Sequence, residues 1–494
     1  LLPLDASKIK QIVVMGPNSN RTPYGGDGSS NVRTYHAVTF LDGIKEAVGA
    51  NVQVTHIDYP KPPHYVKDKN FASPIKLELY KAEFYSANTK PQGEPILVKE
   101  YEMIDYLWTQ NKAFDESIPR HGWMAFARWT TTIRPEKTGE YLFVVDMANR
   151  QKYSIFLDDK QVLPRMTQGN YAVPVQLKGG QTYKLRIEGE IRHGGRFRFG
   201  WGPAVDLLTK EQRDTITKAD AVIACMGFKT ITSEGEDSDR SYALTDRQDQ
   251  LINEVAALNK KTIVVLNVGG SVRTDNWIQN TPALIHAWYA GQQGGTALAD
   301  ILFGKVNPSG RLPITWEKRI EDSPAFGNYP TDLDPENNVY REGIFMGYRG
   351  FDKKNVEPLF PFGFGLSYTT FQLSNASMEL DDDGETWSVK VDVTNAGKRD
   401  GETVVQGYLK APSTPEIKRP VRELKTFKRV HVPAGKTVTL TLPLKRADLG
   451  YYDTFSHGWR VVPGDYDLQL GLHSRDEAMM IPFEIPDDRS PDGI

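Results

Sequence analysis

The sequence holds one cysteine, Cys225, among 494 residues. A disulfide within the chain is therefore excluded, and so is a metal cluster held by thiolates, because both need at least two cysteines. Cys225 lies inside an apolar run, which predicts an inert core residue rather than a nucleophile. No apolar run approaches the about 20 residues that span a bilayer, and the amino terminus lacks a basic-then-apolar signal segment.

An excess of charge is also lacking. Sixty basic and 63 acidic residues leave a net charge of -3, so there is no general attraction to nucleic acid or to an anionic membrane. The spacing of Gly25, Gly26 and Gly28 fits neither GxGxxG nor the P-loop, which favours a glycine-rich loop bordering a cleft over a nucleotide site. The acidic run EGEDSD lacks the ligand order and central glycine of an EF-hand. No cofactor and no metal are expected.

Two stretches of the chain alternate between strands and helices. Residues 9–16 and 52–59 have strand patterns on either side of a glycine-rich loop and a short helix over residues 39–48, which is the βαβ order of a parallel sheet. That order stops at Pro60 and resumes near Lys210. We therefore predict one α/β sandwich with a parallel-rich sheet, formed by residues 1–60 and 207–330 and split by an insert whose ends lie close together.

The rest of the chain has strand periodicity or little periodicity. Residues 73–206 alternate with period two between glycine turns, which predicts an inserted antiparallel β-sandwich. Residues 331–370 lack a regular pattern and are interpreted as a connecting loop region. In residues 371–486, strands spaced near ten residues apart predict a seven-strand β-sandwich of the fibronectin type III, or immunoglobulin-like, kind. The predicted fold class is multidomain, α/β plus all-β.

A cluster of carboxylates follows the apolar run of residues 221–227, which predicts a buried strand. The cluster consists of Glu234, Glu236, Asp237 and Asp239, and Arg240 comes next. Such a cluster is either a solvated turn or a site where repulsion raises the pKa of one carboxyl enough to make it an acid. Beyond it, Thr245 and Gln248 have the spacing of a capping box, which predicts the start of a helix.

Several other side chains have two interpretations. Trp123, Trp129 and Trp201, with Phe126, could stack on a sugar or pack in the core of the inserted sandwich. His121, His193 and His286 have no partners at metal-ligand spacing, so surface or packing roles are expected. Tyr340, Arg341 and Glu342 could tie the connecting region to another domain or form a structural ion pair.

A set of motifs spans nearly the whole chain outside the insert. The motifs are IVVMGPNS, GGDGSSNV, SEGEDSDR, ALTDRQDQLI, KTIVVLNVGG, AWYAGQQGGTALADILFGKVNPSGRLPITW, YREGIFMGYRGFD, VEPLFPFGFGLSYTTF and DVTNAGKRDGETVVQGYL. Together they resemble the C-terminal half of glycoside hydrolase family 3, the β-glucosidase and β-xylosidase family. The insert itself resembles a protective-antigen-type β-sandwich, on FARWTTTIRPEKTGEYLFVVD, IFLDDKQV and FRFGWGP.

The resemblance implies a retaining β-glycosidase, with β-glucosidase favoured, that removes terminal non-reducing residues by means of two carboxylates about 5 Å apart. In family members similar to this chain, the acid/base Glu lies a few residues before an Asp-Arg pair. Glu236 occupies that place before Asp239 and Arg240, which would support the loop, and Glu234 is the alternative. The family nucleophile is an Asp on a (β/α)₈ barrel of about 250 residues, expected here on another chain or on a missing N-terminal part.

The implied partners are an oligosaccharide or aryl β-glycoside substrate and the barrel domain, and a homodimer is compatible with the sequence. The competing hypothesis is a non-catalytic carbohydrate-binding or assembly fragment derived from the family. The sequence does not determine the sugar or the linkage. For the compartment, a periplasmic or extracellular location is favoured, and a cytoplasmic one is the alternative.

Overall fold

The computed structural model describes residues 1–25, 32, 34–60, 65, 70–81, 91–107, 124–192, 195–228, 242–328, 339–413 and 417–487. No helix in these ranges is long and apolar enough to cross a membrane. The α-helices in them are α1 (Phe40–Val48), α2 (Lys210–Lys218), α3 (Gln248–Leu258), α4 (Gly294–Leu302) and α5 (Gly347–Lys354). Short 3-10 turns lie at Gly49–Asn51, Ile278–Asn280, Ile320–Asp322 and Arg446–Leu449.

The described residues form 22 strands. The first thirteen are β1 (Gln11–Met15), β2 (Gln53–Ile57), β3 (Ile75–Lys81), β4 (Gln92–Tyr101), β5 (Ile104–Leu107), β6 (Met124–Ile133), β7 (Gly139–Leu157), β8 (Lys160–Leu177), β9 (Tyr183–Arg192), β10 (Arg196–Pro203), β11 (Ala221–Gly227), β12 (Thr262–Asn267) and β13 (Ala283–His286). The others are β14 (Phe371–Leu380), β15 (Thr386–Asn395), β16 (Gly401–Lys410), β17 (Glu423–Val432), β18 (Thr437–Lys445), β19 (Tyr451–Asp453), β20 (Gly458–Arg460), β21 (Gly464–Gly471) and β22 (Met479–Ile485).

The α/β layer is a five-stranded parallel sheet in the order β13-β12-β11-β1-β2. Every residue of β11 and β12 is buried, which explains why these strands are continuous apolar runs, since a parallel sheet is covered on both faces. Helix α1 begins after Thr39, whose hydroxyl accepts a hydrogen bond from the Asp42 N–H at 3.1 Å. This N-cap satisfies one of the free donors of the first turn.

Strands β1 and β11 are neighbours although the whole insert separates them along the chain. Ile12 pairs with Ala221 and Met15 with Ala224 in parallel register. The prediction that separate pieces of sequence form one parallel-rich sheet is therefore confirmed. The insert leaves after β2, at one edge of this sheet, and the chain returns through α2 to a central position.

The insert is an eight-stranded antiparallel sheet in the order β4-β3-β6-β9-β7-β10-β5, with β8 paired to β7. The 19-residue strand β7 joins two parts of it, because its first half pairs with β10 and its second half with β9. A register shift between Met147 and Lys152 separates the halves. The inward side chains form one core that includes Leu77, Phe143 and Phe197.

The second compact unit of the chain comprises Leu2–Leu4 and Asp300–Ile494. Its β-sandwich consists of a three-stranded sheet, β14-β15-β18, and a four-stranded sheet, β17-β16-β21-β22. Alternating residues such as Val389, Val391 and Val393 of β15 face the core between them. This is the predicted seven-strand sandwich, and β19 and β20 add a small hairpin.

Candidate active site

The carboxyl edge of the parallel sheet is where ligands bind in open α/β folds. Strand β11 ends there at Gly227, between the ends of β1 and β12. The segment 229–241, which carries Glu234, Glu236, Asp237, Asp239 and Arg240, begins two residues after Gly227 and lies outside the described residues. We call this segment the acidic loop. The residues on both sides of it are described.

The end of β11, just before the acidic loop, is held by the side chain of Gln248. Its Nε2 donates to the Gly227 carbonyl and its Oε1 accepts from the Gly227 N–H, both at 2.9 Å. Gln248 is 2% exposed, so neither backbone group of Gly227 is left without a partner in the dry interior. Gly227 has φ of +153°, and a Cβ on it would lie 2.3 Å from the Asn267 carbonyl oxygen. Only glycine fits there.

Two buried asparagines connect the ends of the strands. Asn18 Nδ2 donates to the Phe228 carbonyl at 3.2 Å and to Asn267 Oδ1 at 3.1 Å, and the Asn18 N–H donates to the Cys225 carbonyl at 3.2 Å. Asn267 Nδ2 in turn donates to the Trp288 carbonyl. These bonds join the ends of β1, β11 and β12, while the Oδ1 of Asn18 is buried without a hydrogen-bond partner among the described residues.

The far side of the acidic loop leads into α3 through Tyr242, whose carbonyl accepts from the Arg273 N–H at 2.8 Å. The capping box predicted for Thr245 and Gln248 is wrong. Arg247, in the left-handed conformation, is the residue before α3 and gives no side-chain cap, because the Gln248 side chain is used on Gly227 instead. Thr245 contributes its carbonyl to the Gln248 N–H.

Asp249, in the first turn of α3, has the clearest change of acidity near the loop. Burial raises the pKa of Asp249 to about 6, against the lowering effect of a hydrogen bond from Asn276 Nδ2 at 2.9 Å. Desolvation disfavours the charged form of a carboxyl. Asp275 behaves in the opposite way, since its contact with Arg273 at 2.6 Å holds the pKa of that carboxyl below its ordinary value.

A serine and a histidine also meet at this edge of the sheet. The Ser19 hydroxyl donates to the Gly16 carbonyl at 2.8 Å and lies 2.9 Å from His56 Nε2, while His56 Nδ1 lies 3.7 Å from an Asp58 oxygen. Ser19 is completely buried, so a substrate cannot reach it and it has no role as a nucleophile. Cys225 is equally buried, and burial raises the pKa of its thiol, which agrees with an inert core residue.

The tryptophans singled out for sugar stacking have different positions. Trp129 is 2% exposed and packs against both Tyr106 and Phe197, with ring centroids at 5.7 and 5.4 Å. Trp201 is 3% exposed and packs on Tyr141 at 5.6 Å. Neither indole offers a free face to a sugar, so both are core residues of the insert in this structure. Trp123, His121 and His193 lie outside the described residues.

Four further residues with two interpretations are described, and one of them, Arg341, is exposed. Tyr340 is 74% exposed, and Glu342 accepts a hydrogen bond from Asn328 Nδ2 at 2.7 Å. His286 stacks on Trp288 with ring centroids 4.1 Å apart, and its Nε2 lies 3.2 Å from the Gly270 carbonyl oxygen. His286 therefore has a packing role. The sequence patterns did not indicate Asn18, and they assigned Gln248 to a capping box instead of to Gly227. The only signal for either role is a polar side chain directly beside a strand end or on a buried helix face.

Comparison with known proteins agrees with this architecture. The profile of the glycosyl hydrolase family 3 C-terminal domain matches residues 1–368, and that of the fibronectin type III-like domain matches residues 403–474. A beta-glucosidase from Rhizobium radiobacter is 32% identical over 99% of this chain and 60% of its own length. A beta-glucosidase from Kluyveromyces marxianus is 30% identical over 98% of this chain and 60% of its own length.

Two solved structures extend the comparison to the fold. The Kluyveromyces marxianus beta-glucosidase in complex with glucose has a TM-score of 0.65 at 27% identity, and covers 98% of this chain and 60% of its own. A beta-glucosidase from Streptomyces venezuelae in complex with D-glucose has a TM-score of 0.66 at 29% identity, with 98% and 57% covered. The match is therefore to proteins of the glycosyl hydrolase class.

Within that class, the chain belongs to glycosyl hydrolase family 3 and contains the C-terminal domain of that family. It spans about 60% of the length of the relatives that it matches. The expectation of family membership is confirmed.

Proposed function

We propose that this chain supplies the acid/base carboxylate of a retaining, exo-acting β-glycosidase, with Glu236 in that role and terminal β-glucosyl residues as the substrate. The observation that supports the proposal is the end of β11 at the carboxyl edge of a parallel sheet, where Gln248 and Asn18 bond to Gly227 and Phe228, the last described residues before the acidic loop. The glucose in the two related structures and the names of the relatives support the choice of sugar.

The chemistry needs a carboxyl that still carries its proton near neutral pH. The like charges of Glu234, Asp237 and Asp239 favour the neutral form of Glu236, and Arg240 is proposed to pair with Asp239 and steady the loop. Glu236 gives its proton to the glycosidic oxygen as the bond to the anomeric carbon breaks. A carboxylate on the other face attacks that carbon, and ionised Glu236 then takes a proton from the water that releases the sugar.

The second carboxylate is proposed to come from the (β/α)₈ barrel that the family resemblance implies, on another chain or on a further part of the protein. Active sites of such barrels lie at the carboxyl ends of their strands. A site formed between two carboxyl edges, one from the barrel and one from this sheet, would place the two carboxylates on opposite faces of the sugar.

The test combines this chain with its barrel and measures hydrolysis of aryl β-glucosides and β-xylosides. We expect β-glucosides to be preferred. We expect Glu236→Ala to lower kcat for a poor leaving group by about 10²- to 10⁴-fold, the usual contribution of general acid catalysis, and Glu234→Ala to have a much smaller effect.

The reverse order of the two variants would assign the role to Glu234. If both variants kept full activity on poor leaving groups, the acidic loop would have no catalytic part. A combination that binds glycans but hydrolyses none of them would favour the non-catalytic, carbohydrate-binding fragment.

A further inference from the structure

Two consecutive residues between the acidic loop and α3 have an unusual backbone. Asp246 has φ of +60° and Arg247 φ of +66°, in the left-handed region that residues other than glycine rarely occupy. Such a conformation is strained and persists only where its surroundings enforce it. We call this pair the Asp246–Arg247 turn.

The contacts of Asp246 supply part of that enforcement. Asp246 is 7% exposed, and its Oδ1 accepts a hydrogen bond from the Ala172 N–H of β8 at 3.3 Å. Its carbonyl oxygen accepts from the hydroxyl of Tyr59, just after β2. Burial raises the pKa of that phenol well above its ordinary value, so the hydroxyl remains a donor at every physiological pH.

The contacts of Arg247 also hold the backbone of the turn in this conformation. Its side chain is 10% exposed. Nη1 donates to the Val205 carbonyl at 2.7 Å, Nη2 to Glu140 Oε1 at 3.3 Å and Nε to Gln250 Oε1 at 2.6 Å. The Gln250 amide donates to the second oxygen of the Glu140 carboxylate at 2.9 Å. Glu140 is thus held by a cation and an amide at once, and charge-assisted bonds of this kind are the stronger ones.

Most of these partners belong to the insert. Glu140 lies at the start of β7, Ala172 on β8 and Val205 after β10. The turn that they hold is followed immediately by Gln248, the residue that clamps Gly227 at the start of the acidic loop. The insert therefore holds Asp246 and Arg247, which follow the acidic loop. Because Gln248 comes next and bonds to Gly227, the same contacts also help to hold the end of β11, which precedes the loop.

From this arrangement we infer that Arg247 and Glu140 are positioning residues for the acid/base carboxylate, and that the insert acts as a brace for the acidic loop. The inference rests on the proposed function, and it gives the insert a part in catalysis that needs no sugar contact. A general acid must lie within hydrogen-bond reach of the oxygen that it protonates, so small displacements of its loop lower the rate of proton transfer.

The test uses the complete protein with its barrel. Arg247→Met keeps an unbranched, though shorter, side chain and removes every donor, and Arg247→Lys keeps the charge. Arg213→Met is the matched control, because Arg213 forms its ion pair with Glu254 at 2.6 Å, between α2 and α3 rather than with the insert. Melting temperatures identify the temperature at which every variant is folded, and rates are compared there.

A brace makes a prediction that a purely stabilising contact does not. Arg247→Met should lower kcat/KM for an alkyl β-glucoside at least about tenfold more than for a nitrophenyl β-glucoside, because only the poor leaving group depends on the acid. Arg247→Lys should recover part of that loss, and Arg213→Met should leave the ratio of the two rates unchanged. Arg247→Met combined with Glu140→Gln should lose less than the sum of the two single variants, since the residues share one contact.

Equal losses on both substrates, or the same change of ratio in Arg213→Met, would overturn the inference. Glu236→Ala, measured in parallel, separates this from failure of the proposed function. If Glu236→Ala loses the poor leaving group and Arg247→Met keeps the ratio, only the brace is wrong. If Glu236→Ala keeps full activity, the proposed function fails first.

Discussion

Gln248 shows at the level of a single residue how the candidate site is held. Its amide is buried and bonds both backbone groups of Gly227. Gln248→Ala leaves two backbone groups without partners, which should lower the free energy of unfolding by about 2 to 5 kcal/mol. Urea unfolding of the 494-residue chain measures this. Gln181→Ala, in an exposed turn of the insert, is the control that should change little, and equal effects of the two variants would contradict the clamp.

Asp249 makes a prediction about pH. Its pKa of about 6 lies above its ordinary value of 3.8, so the folded state holds the proton over a range in which the unfolded state has lost it. Stability is therefore lost as pH rises from about 4 to about 6, and the loss is complete above that range. The side chain of Asp249→Asn cannot ionise. The free energy of unfolding of this variant should therefore rise relative to that of the unmodified protein as the pH increases over this interval, as measured by unfolding at a series of pH values.

Asp275→Asn is the control of opposite sign. The pKa of Asp275 is lowered by Arg273, so its contribution to stability is present above about pH 4 and lost as the pH falls further. This variant should lose stability relative to the unmodified protein at neutral pH and regain it in acid. A parallel response of the two variants would show that burial of Asp249 is not the cause.

Elements with a strong pattern could be predicted from the sequence, and those that depend on distant contacts could not. Strand β11 has the bounds of its apolar run, and α1 begins after the threonine that caps it. The start of α3 was wrong, because Gln248 bonds to a strand about twenty residues earlier in the sequence. Helix α5 was missed inside the connecting region, since it is short and contains Gly347 and Gly350. Gly350 is needed because a Cβ there would lie 2.3 Å from the Phe345 carbonyl oxygen and from the Pro324 ring.

Helix α5 is joined to the fibronectin-like sandwich by a buried ion cluster. The Asp352 side chain is 2% exposed and lies 3.1 Å from Arg422 Nε and 2.9 Å from Arg475 Nη2. Asp352→Ala would leave two partly buried cations without this anion, and should destabilise the second unit by about 3 to 5 kcal/mol. Urea unfolding of the full chain tests this. Glu379→Ala, which breaks an exposed pair with Lys390 at 3.2 Å, should cost no more than about 1 kcal/mol. Similar costs for both would refute the cluster.

At the scale of the whole molecule, the sequence was sufficient to predict the fold class and the family. Period-two and helical patterns separated the inserted and terminal sandwiches from the α/β layer. The interrupted strand-helix order indicated that strands on both sides of the insert belong to one sheet, and the structure adds that β1 pairs with β11. Such patterns could not assign the roles of Trp129 and Trp201, because an aromatic residue in a strand has the same spacing whether it faces the core or a ligand. The catalytic assignment of Glu236 remains a prediction that rests on its place in the sequence.

The measurement that decides this assignment most directly is the rescue of Glu236→Ala by azide in the complete protein. With a nitrophenyl β-glucoside, the first step needs little acid and the glycosyl-enzyme forms, but no base remains to activate water. Azide needs no base, so it should restore turnover and yield the β-configured glucosyl azide. If azide has no effect, or if Glu236→Ala hydrolyses alkyl β-glucosides as fast as the unmodified protein, Glu236 is not the acid/base residue.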